Sequence, residues 1–388
     1  MGIGRKIMVV AGEASGDQHA AKVVHELRAM IEAEVEFFGS AGEKLRNEGV
    51  EAIVRADDLS IVGLLEIGRA LPVFMRAFRR LTAAAKERRP DVAILVDFPD
   101  FNLKLAKALK KQEIRVVYYI SPQLWAWRKY RIRSVRKYVD QLLVILPFEK
   151  KWFADHGVEH VEYVGSPLAR EVHANISKEQ FCETHDIDPA KPIVSLLPGS
   201  RHKEIARVLP VMLTAVSEMS KTDPDIQFLI ALAAGRKQNE IDEAIDSLGH
   251  EIKLPKLLKS IYSETYDALN ASHAAAVTSG TATLEAAIIG TPMAVVYKTS
   301  AINYRLLRPL ITVEHFGLVN LIAEKRISKE LIQGDFTTES LSAELLRLLE
   351  PVNNAIARAE LAEATEKLGH GGASKRAAEA IVRVMEKP

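Results

Sequence analysis

The sequence predicts an α/β protein built from two doubly wound domains that face a central cleft. Short apolar runs bounded by turn residues alternate with amphipathic segments, which is typical of strands and helices that follow one another along the chain. The apolar runs are hydrophobic on both faces, as strands of a parallel sheet covered by helices are. The alternation breaks at Gly165-Ser166-Pro167 and restarts at residue 193 as if from a first strand. A length of 388 residues is sufficient for two separate cores.

The individual elements follow from the same pattern. Apolar runs predict strands at residues 7–11, 35–38, 92–96, 116–120, 141–146 and 161–164, and then at residues 193–197, 227–231, 274–277 and 293–297. Helical spacing of apolar residues predicts helices between them, for example at residues 18–31 and 208–221. We therefore expect domains at residues 1–170 and 171–350, followed by an alanine-rich helical tail at residues 351–388.

Composition narrows the class of protein. The chain is 48% hydrophobic and 27% charged, as soluble globular proteins are, and its net charge of +1 gives it no polyelectrolyte character. The single cysteine, Cys182, excludes an intramolecular disulfide framework and a multi-cysteine zinc site, which favours a reducing compartment. The most apolar stretch, residues 274–296, contains Glu285 and Pro292, so it predicts strand, loop and helix rather than a membrane span. We expect a cytoplasmic protein whose membrane contacts are confined to its surface.

Three glycine-containing loops follow predicted strands, where the ligands of open α/β sheets bind. The first contains Gly12, Glu13, Ser15, Gly16 and Asp17, and lacks both the GxGxxG spacing of dinucleotide-binding proteins and a Walker lysine. A ligand-binding loop and a tight turn whose helix is capped by Ser15 or Asp17 are equal alternatives here.

The second loop follows the strand at residues 193–197. Gly199 and Ser200 present backbone amides, and Arg201 offers a planar, permanently charged fork that suits a diphosphate. The alternative is a proline–glycine turn with a solvated arginine. The position of the loop at the mouth of a strand favours a ligand.

The third loop follows the strand at residues 274–277. Ser279, Gly280 and Thr281 begin a helix, where amides and hydroxyls can together bind phosphate oxygens. Glu285 lies one turn further, where its carboxylate can accept hydrogen bonds from both ribose hydroxyls or, alternatively, compensate the helix dipole. The second and third loops together predict a nucleoside diphosphate pocket in the second domain.

Asp97 is the strongest candidate for a catalytic base. It ends the predicted strand at residues 92–96, where a carboxylate can accept a proton from a sugar hydroxyl. Asp100 fits a helix N-cap instead. Two Asp-x-Asp pairs, at residues 186–188 and 223–225, precede strands and fit loop roles better than a metal site, and no cluster has metal-ligand spacing. Among the scattered histidines, His19 lies beside the first loop and is worth testing.

Two stretches suggest an anionic or membrane partner. Residues 121–127, which include two tryptophans, lead into six cationic residues before the next acid at Asp140. An anionic acceptor or an anionic membrane leaflet explains this run better than nucleic acid, and a solvated helix face is the alternative. Apolar residues at helical spacing share a second stretch with arginines on another face, which fits a helix on a bilayer surface and a core-packing helix equally well. These residues are Leu64, Leu71, Phe74, Met75, Phe78 and Leu81, with Arg69, Arg76 and Arg80.

Taken together, these segments resemble the lipid-A-disaccharide synthase family nearly end to end and in order. The segments that carry the resemblance are GEASGD (12–17), DFPDFN (97–102), SPQLWAW (121–127), LPFE (146–149), LPGSR (197–201), SGTATLE (279–285) and VNLIAEKRISKELIQ (319–333). The resemblance implies the GT-B architecture of two Rossmann-like domains, with no cofactor and no essential metal. It also implies an inverting reaction that joins UDP-2,3-diacylglucosamine to 2,3-diacylglucosamine 1-phosphate through a β(1→6) link and releases UDP.

The resemblance also implies roles for single residues. Asp97 matches the acidic catalytic residue of the family, the loops at residues 12–17, 199–201 and 279–285 match its substrate-binding segments, and Asn320 matches a polar position near the cleft. Ser166 departs from the pattern, because the family commonly has a histidine there.

The expected partners are the two acylated sugars and the inner face of the cytoplasmic membrane, held peripherally, with a homodimer left open. Two alternatives remain at this stage: an isomerase like the UDP-N-acetylglucosamine 2-epimerases, which share the architecture, and a non-catalytic binder of nucleotides or lipid surfaces.

Overall fold

The computed structural model describes residues 4–60, 67–233, 235–249, 252–300, 304–305 and 313–387, and the side chains of residues 60 and 67–70 are not among the described atoms. Leu64 and the side chain of Arg69, both assigned to the amphipathic stretch, therefore lie outside the described residues. The chain forms two compact units. Unit 1 consists of the residues up to Pro167 together with those from His370 onward, and unit 2 consists of Leu168–Gly369.

Unit 1 is built on a parallel sheet. Its strands are β1 (Arg5–Val10), β2 (Val35–Ala41), β3 (Glu51–Arg55), β4 (Val92–Val96), β5 (Arg115–Tyr119), β6 (Gln141–Val144) and β7 (Val161–Tyr163). They pair in the order β3-β2-β1-β4-β5-β6-β7. The order reverses between β1 and β4, which pair directly with Val10 opposite Leu95. Ligands of doubly wound sheets bind at such a reversal, so the loops after β1 and β4 lie at the favoured place.

Helices cover both faces of this sheet. They are α1 (Ala14–Met30), α2 (Glu43–Asn47), α3 (Asp57–Ser60), α4 (Ile67–Arg88), α5 (Pro99–Lys110), α6 (Ile132–Tyr138) and α7 (Pro147–Asp155). One apolar cluster packs α4 and α5 on one face through Leu81, Phe101 and Leu105, and another packs α1 on the opposite face through Val23 and Leu27. Alternate residues of the central strands enter these two clusters, which explains why the strands are apolar on both faces.

Unit 2 repeats the same design. Its strands are β8 (Ile193–Leu197), β9 (Gln227–Leu232), β10 (Leu258–Tyr262), β11 (Ala274–Thr278), β12 (Met293–Tyr297) and β13 (Glu330–Ile332), paired in parallel in the order β10-β9-β8-β11-β12-β13. The order reverses between β8 and β11, where Leu197 lies opposite Val277. Its helices are α8 (Leu168–Glu171), α9 (Lys178–Thr184), α10 (His202–Thr222), α11 (Gln238–Asp246), α12 (Thr265–Ala271), α13 (Thr281–Ile289), α14 (Leu318–Ala323), α15 (Thr338–Leu349) and α16 (Pro351–Glu366).

The last helix, α17 (Ala373–Glu386), returns to unit 1, whereas the sequence predicted one helical tail from residue 351. Its buried residues Ala377, Ile381 and Val384 join the apolar cluster that contains α1. Arg115 donates hydrogen bonds to the carbonyls of Val384 and Met385, at 2.9 and 3.0 Å, and so satisfies orphan acceptors at the end of the helix. The tail is thus divided, because α16 packs in unit 2 and α17 packs in unit 1.

The predicted strands are all confirmed, but β3, β10 and β13 were not predicted. All three lie at the edges of their sheets, where burial is partial and the apolar signal in the sequence is weak. Within the described part of the chain, no helix combines the length and apolar character that crossing a membrane requires.

Candidate active site

A cavity of about 480 Å³ in unit 2 lies at the carboxyl ends of β8 and β11. Its wall contains seven of the residues that the sequence singled out: Gly199, Ser200, Arg201, Ser279, Gly280, Thr281 and Glu285. The structure brings the second and third loops together because their strands are neighbours in the sheet. The helices α10 and α13 begin at this cavity, and helix N-termini favour anionic ligands.

Two glycines of the cavity wall have backbone conformations that favour glycine. Gly199 has φ +113°, and a Cβ atom there would lie 2.9 Å from a carboxylate oxygen of Glu204. Gly280 has φ +153°, and a Cβ atom there would meet nothing within 4 Å. The space beside Gly280 is therefore open to a ligand that approaches the backbone closely.

Arg201 is largely exposed and pairs with Glu204. Its Nη1 atom lies 2.9 Å from Oε1 of Glu204, and 81% of the arginine side chain is accessible. An exposed ion pair of this kind contributes little stability, so little is lost when the guanidinium turns to another anion. Glu204 thus holds Arg201 at the cavity without fixing it there.

Ser279 has a more limited role than its sequence position suggested. Its backbone NH donates to the carbonyl of Val296 at 2.8 Å, and its hydroxyl donates to the carbonyl of Phe316 at 2.7 Å. Both donors are therefore used inside the protein. Ser279 shapes the loop, while Gly280 and Thr281, at the start of α13, lie where amides can face an anion.

Glu285 and Tyr266 form the half-buried part of the cavity. Burial raises the pKa of Glu285 above its usual value. Burial, followed by the charges of Glu285 and Glu171, raises the pKa of Tyr266 to about 12, so its hydroxyl keeps its proton at neutral pH. A phenol donor and a carboxylate acceptor in one wall suit the hydroxyls of a ribose.

The sequence did not single out Tyr266 or several other wall residues. Asn175 lies in the wall because Asp267, which is 3% exposed, accepts hydrogen bonds from its backbone NH at 2.6 Å and its amide at 3.0 Å. Glu264, also in the wall, pairs with His185 at 2.9 Å. These residues follow β10 or precede α9, and the unpredicted edge strand β10 hid the loop after it.

In unit 1, Asp97 occupies a strained turn between β4 and α5. Asp97 has φ 47° and Phe98 has φ 51°, both in the left-handed region that residues other than glycine seldom adopt. Each such conformation costs on the order of 1–3 kcal/mol and persists only where the surroundings impose it.

Two side chains impose this turn through the carbonyl of Asp97. The Tyr118 hydroxyl donates to it at 2.6 Å and the Asn102 amide at 2.8 Å, and the same Asn102 amide also donates to the carbonyl of Val96 at 3.2 Å. Asn102 is fully buried, and its position on α5 ties the helix back to the end of β4. Strain held in this way is typical of a functional turn.

The carboxyl group of Asp97 has the acidity of a poised base. Burial and, after it, the charge of Glu13 raise the pKa of Asp97 to about 6, against opposing effects of the Phe98 backbone NH and His19. A base whose pKa approaches the working pH transfers protons most effectively. His19 and Glu13 therefore both belong to the electrostatic surroundings of Asp97.

The first glycine loop supports this turn by packing. A Cβ atom on Gly12 would lie 2.3 Å from the Phe98 ring, so glycine there lets the ring lie on the loop. Gly16 faces Val96, with a Cβ at 3.8 Å. Glu13 and Ser15 are exposed on the same loop, where a ligand can reach them.

Asp17 has a structural role that the sequence did not predict. It is 4% exposed and accepts hydrogen bonds from the backbone NH groups of Gly42 at 2.6 Å and Lys44 at 2.8 Å. It thus joins the start of α2 to α1, and it also lines a cavity of about 230 Å³ together with Glu13 and Lys44, so its role toward a substrate stays a prediction. Neither Ser15 nor Asp17 caps α1, whose N-cap is Glu13 without a side-chain hydrogen bond.

Asn320 is also a structural residue. Its side chain is fully buried, outside the wall of the cavity, and its oxygen accepts from the NH groups of Ile327 at 3.0 Å and Ser328 at 2.9 Å. Its amide nitrogen donates to the Ser328 carbonyl and to Glu330. Glu330 in turn accepts from the NH of Phe316, whose carbonyl binds Ser279. Asn320 therefore acts on the cavity only through the loop that it holds.

Glu149 connects two further motifs of the sequence, at residues 121–127 and 146–149. This fully buried carboxylate accepts from the Ser121 hydroxyl at 2.7 Å, the Trp125 indole at 3.0 Å and the Leu146 NH at 3.0 Å, and burial raises its pKa. It therefore fastens the segment at residues 121–127 to the start of α7.

Asp100 does not cap α5, since the N-cap position is Phe98 and carries no side-chain hydrogen bond. Asp100 pairs instead with Arg128 and Arg131. Ser166 is 1% exposed, and its hydroxyl has no hydrogen-bond partner among the described residues. Within the same described residues, no group of three or more histidine, cysteine or acidic side chains is arranged to hold a metal ion.

Comparison with known proteins identifies the family. The family model described as LpxB, lipid-A-disaccharide synthetase, matches residues 7–384. The chain belongs to the lipid-A-disaccharide synthase family. Lipid-A-disaccharide synthases from Syntrophus aciditrophicus and Geobacter sulfurreducens are 41% and 37% identical to it, each over 98% of this chain and 98% of the relative. The match confirms the family that the sequence motifs indicated, and with it a glycosyltransferase.

Solved structures confirm the fold class. A putative UDP-N-acetylglucosamine 2-epimerase from Listeria monocytogenes has a TM-score of 0.66 at 16% identity, covering 98% of this chain and 96% of its own. The glycotransferase of kitacinnamycin has a TM-score of 0.64 at 17% identity and covers 98% of both chains. A UDP co-structure of MnaA from S. aureus has a TM-score of 0.67 at 14% identity, with 99% of both chains covered. The chain thus shares a GT-B-like α/β fold with these epimerase and glycosyltransferase structures.

Proposed function

We propose that this chain transfers the 2,3-diacylglucosamine of a UDP-sugar to the 6-hydroxyl of 2,3-diacylglucosamine 1-phosphate, with inversion, to form the β(1→6) lipid A disaccharide 1-phosphate and UDP. Membership of the lipid-A-disaccharide synthase family supports the reaction. The observation that carries the assignment of residues is the cavity of unit 2, where two glycine loops, an arginine and a half-buried carboxylate converge at the switch point of the sheet.

The cavity suits the UDP half of the donor. Backbone amides at Gly199, Gly280 and Thr281, together with Arg201, would bind the diphosphate, and Glu285 would accept the ribose hydroxyls. As the bond between the anomeric carbon and the phosphate oxygen breaks, negative charge grows on UDP. Amide dipoles that are already oriented and one guanidinium stabilise that charge without reorganisation.

Asp97 would act on the acceptor. Its carboxylate accepts the proton of the 6-hydroxyl while the hydroxyl oxygen attacks the anomeric carbon opposite the leaving UDP. One displacement at an α-linked donor gives a β product, and no covalent intermediate forms. The raised pKa of Asp97 and its imposed turn support this role.

The peripheral contact with the inner membrane rests on helix α4. Leu71, Val73 and Met75 are 59%, 39% and 47% exposed, while Ala77 and Leu81, further along, are buried. The apolar stretch therefore divides between a surface half and a packed half. Phe74 lies 6.0 Å from the Phe98 ring, so the exposed half lies beside the turn that carries Asp97. A bilayer surface at this position would supply acylated substrates to the base.

The decisive experiment is mass analysis of products after incubation with both acylated sugars, with and without chelator. We expect a disaccharide 1-phosphate and an equal amount of UDP, undiminished by chelator. Incubation with UDP-N-acetylglucosamine alone tests the epimerase alternative, since an epimerase needs no acceptor. A manno-configured product in that reaction, or nucleotide binding without UDP release when both substrates are present, would overturn the proposal.

A further inference from the structure

The cationic run after Trp127 contains two arginines that converge on one exposed carboxylate. Arg128 Nη1 lies 3.0 and 3.2 Å from the two carboxylate oxygens of Asp100, and Arg131 Nη2 donates to one of those oxygens. Asp100 is 64% exposed, so solvent reaches the group. Two guanidinium groups on one carboxylate leave a net charge of +1 and several unused N–H donors.

The arginines are held more firmly than solvated surface residues are. Arg128 has φ 55°, in the left-handed region, and its guanidinium carbon lies 4.1 Å from the centre of the Trp127 ring. Only 17% of the Arg131 side chain is exposed. A guanidinium fixed by stacking and by a carboxylate loses little freedom when it binds an anion.

This pair lies close to the proposed base, within the same unit. Asp100 stands three residues after Asp97, in the first turn of α5. The Tyr118 hydroxyl binds the carbonyl of Asp97, and the charges of Arg131 and Asp100 both act on that phenol. The base and the two arginines are therefore parts of one local group of side chains.

We propose that Arg128 and Arg131 bind the phosphate monoester of the acceptor, and that Asp100 keeps their planes oriented when the acceptor is absent. This proposal rests on the proposed function, in which the acceptor carries one phosphate at C1 and attacks through its 6-hydroxyl. C1 and C5, the carbon that carries C6, both adjoin the ring oxygen of the sugar, so a phosphate site beside the base would orient the 6-hydroxyl toward Asp97. Guanidinium groups bind phosphate through paired N–H donors. The headgroups of an anionic leaflet offer the same phosphate chemistry, and the experiment separates the two sources.

The test compares 2,3-diacylglucosamine 1-phosphate with 2,3-diacylglucosamine as acceptors for the wild type and for an Arg128→Gln, Arg131→Gln double variant. We expect the wild type to prefer the phosphorylated acceptor by about tenfold or more in kcat/KM, as charge-assisted hydrogen bonds imply. The preference should fall to about threefold or less in the double variant, since the two changes remove the same interaction. The donor KM and UDP binding should not change.

Arg133→Gln is the matched control, because Arg133 is exposed on α6 in the same run and has no assigned part in the site. It removes one charge and should keep the preference for the phosphorylated acceptor. An Arg128→Lys, Arg131→Lys variant keeps the charge and the pairing with Asp100, and should show an intermediate preference. It also keeps the proposal testable if the glutamine variant fails to fold, which thermal unfolding would reveal.

Two outcomes would overturn the proposal. In both, an active double variant still prefers the phosphorylated acceptor as strongly as the wild type. If that variant floats with vesicles of anionic phospholipid as the wild type does, the arginines bind neither phosphate, and if it no longer floats, they bind the leaflet. Failure of the proposed function looks different, because the wild type would then form no disaccharide from either acceptor.

Discussion

Burial and the neighbouring carboxylate of Glu13 both raise the pKa of Asp97. Both disfavour the charged form, so the pKa rises to about 6 although the residue begins from an ordinary aspartate value. Removing a carboxyl group from water costs free energy, and groups with a pKa raised in this way cluster at functional sites. A fully solvated aspartate would be a weaker base and would not need the strained turn that presents it.

Replacing Asp97 by asparagine should therefore abolish most turnover. We expect kcat to fall by about two to four orders of magnitude, the range typical of general base catalysis. UDP should bind as it does to the wild type, because the cavity lies in unit 2. Radiolabelled product formation and calorimetric titration with UDP measure the two effects, and near-normal turnover would remove Asp97 as the base.

The pH dependence of turnover should report the ionisation of the Asp97 carboxyl group. A general base acts only when it is deprotonated, so with Asp97 in the proposed role kcat/KM should decline as the pH falls through about 6. Glu13 raises this pKa, and Glu13→Gln should therefore move the acidic limb to lower pH. Glu26→Gln, on the same helix α1, is the control and should leave the limb in place. A limb that does not move in Glu13→Gln would contradict the electrostatic account.

At the scale of elements, the turn between β4 and α5 depends on donors from elsewhere. Tyr118 comes from β5 and Asn102 from the first turns of α5, and both bind the Asp97 carbonyl. These donors come together because β4 and β5 are neighbours in the sheet and α5 begins immediately after the turn. Tyr118 is fully buried, so its hydroxyl has no water to replace the hydrogen bond.

Tyr118→Phe should weaken the turn without removing the base. We expect the free energy of unfolding to fall by about 0.5–1.5 kcal/mol, the net value of one hydrogen bond, and kcat to fall while the donor KM stays constant. Tyr138→Phe, in α6 of the same unit, is the comparison variant. Denaturant unfolding and steady-state kinetics test both quantities, and an unchanged kcat in Tyr118→Phe would show that the turn does not depend on this donor.

The exposed half of α4 should determine membrane partition. A Leu71→Ser, Met75→Ser variant should partition less onto vesicles, while its free energy of unfolding stays within about 0.5 kcal/mol, because both side chains are exposed. Val352→Ser with Ile356→Ser removes an apolar pair from α16 that is even more exposed, and it serves as the control. Vesicle flotation measures the difference. Equal losses in the two variants would mean that α4 is not the contact.

At the scale of the whole molecule, two units of the same doubly wound design carry different chemistry. In unit 1 the switch point of the sheet presents a carboxylate of raised pKa, and in unit 2 it presents glycine loops, helix N-termini and an arginine. The shared design positions loops at the carboxyl ends of central strands, and the residues in those loops decide what they bind.

UDP should stabilise the protein through unit 2. At a concentration of about 100 times its Kd, a ligand adds about 2.7 kcal/mol to the stability of the state that binds it. Arg201→Ala should lose most of this stabilisation at the same UDP concentration, whereas Arg207→Ala, on α10 outside the cavity wall, should keep it. Thermal unfolding with and without UDP measures the effect. Full stabilisation of Arg201→Ala would remove the arginine from the diphosphate site.

The sequence by itself determined the alternation of strands and helices, the restart after residue 165 and the two glycine loops of unit 2, and it singled out Asp97 as the candidate base. Local spacing and composition carry these features, because each depends on residues that are neighbours along the chain. The family resemblance rested on the same short segments, and the comparison over residues 7–384 confirms it.

Only the tertiary structure decided what the buried polar residues do. Asp17 binds the start of α2, Asn320 binds the loop before β13, and Glu149 binds Ser121 and Trp125 in the distant segment at residues 121–127, so these partners could not be read from local spacing. The same reason applies to α17, whose apolar face returns to unit 1, and to the acidity of Asp97, which depends on burial and on Glu13. Hydrogen bonds and desolvation act through space, and their strength depends on which distant groups the fold brings into contact.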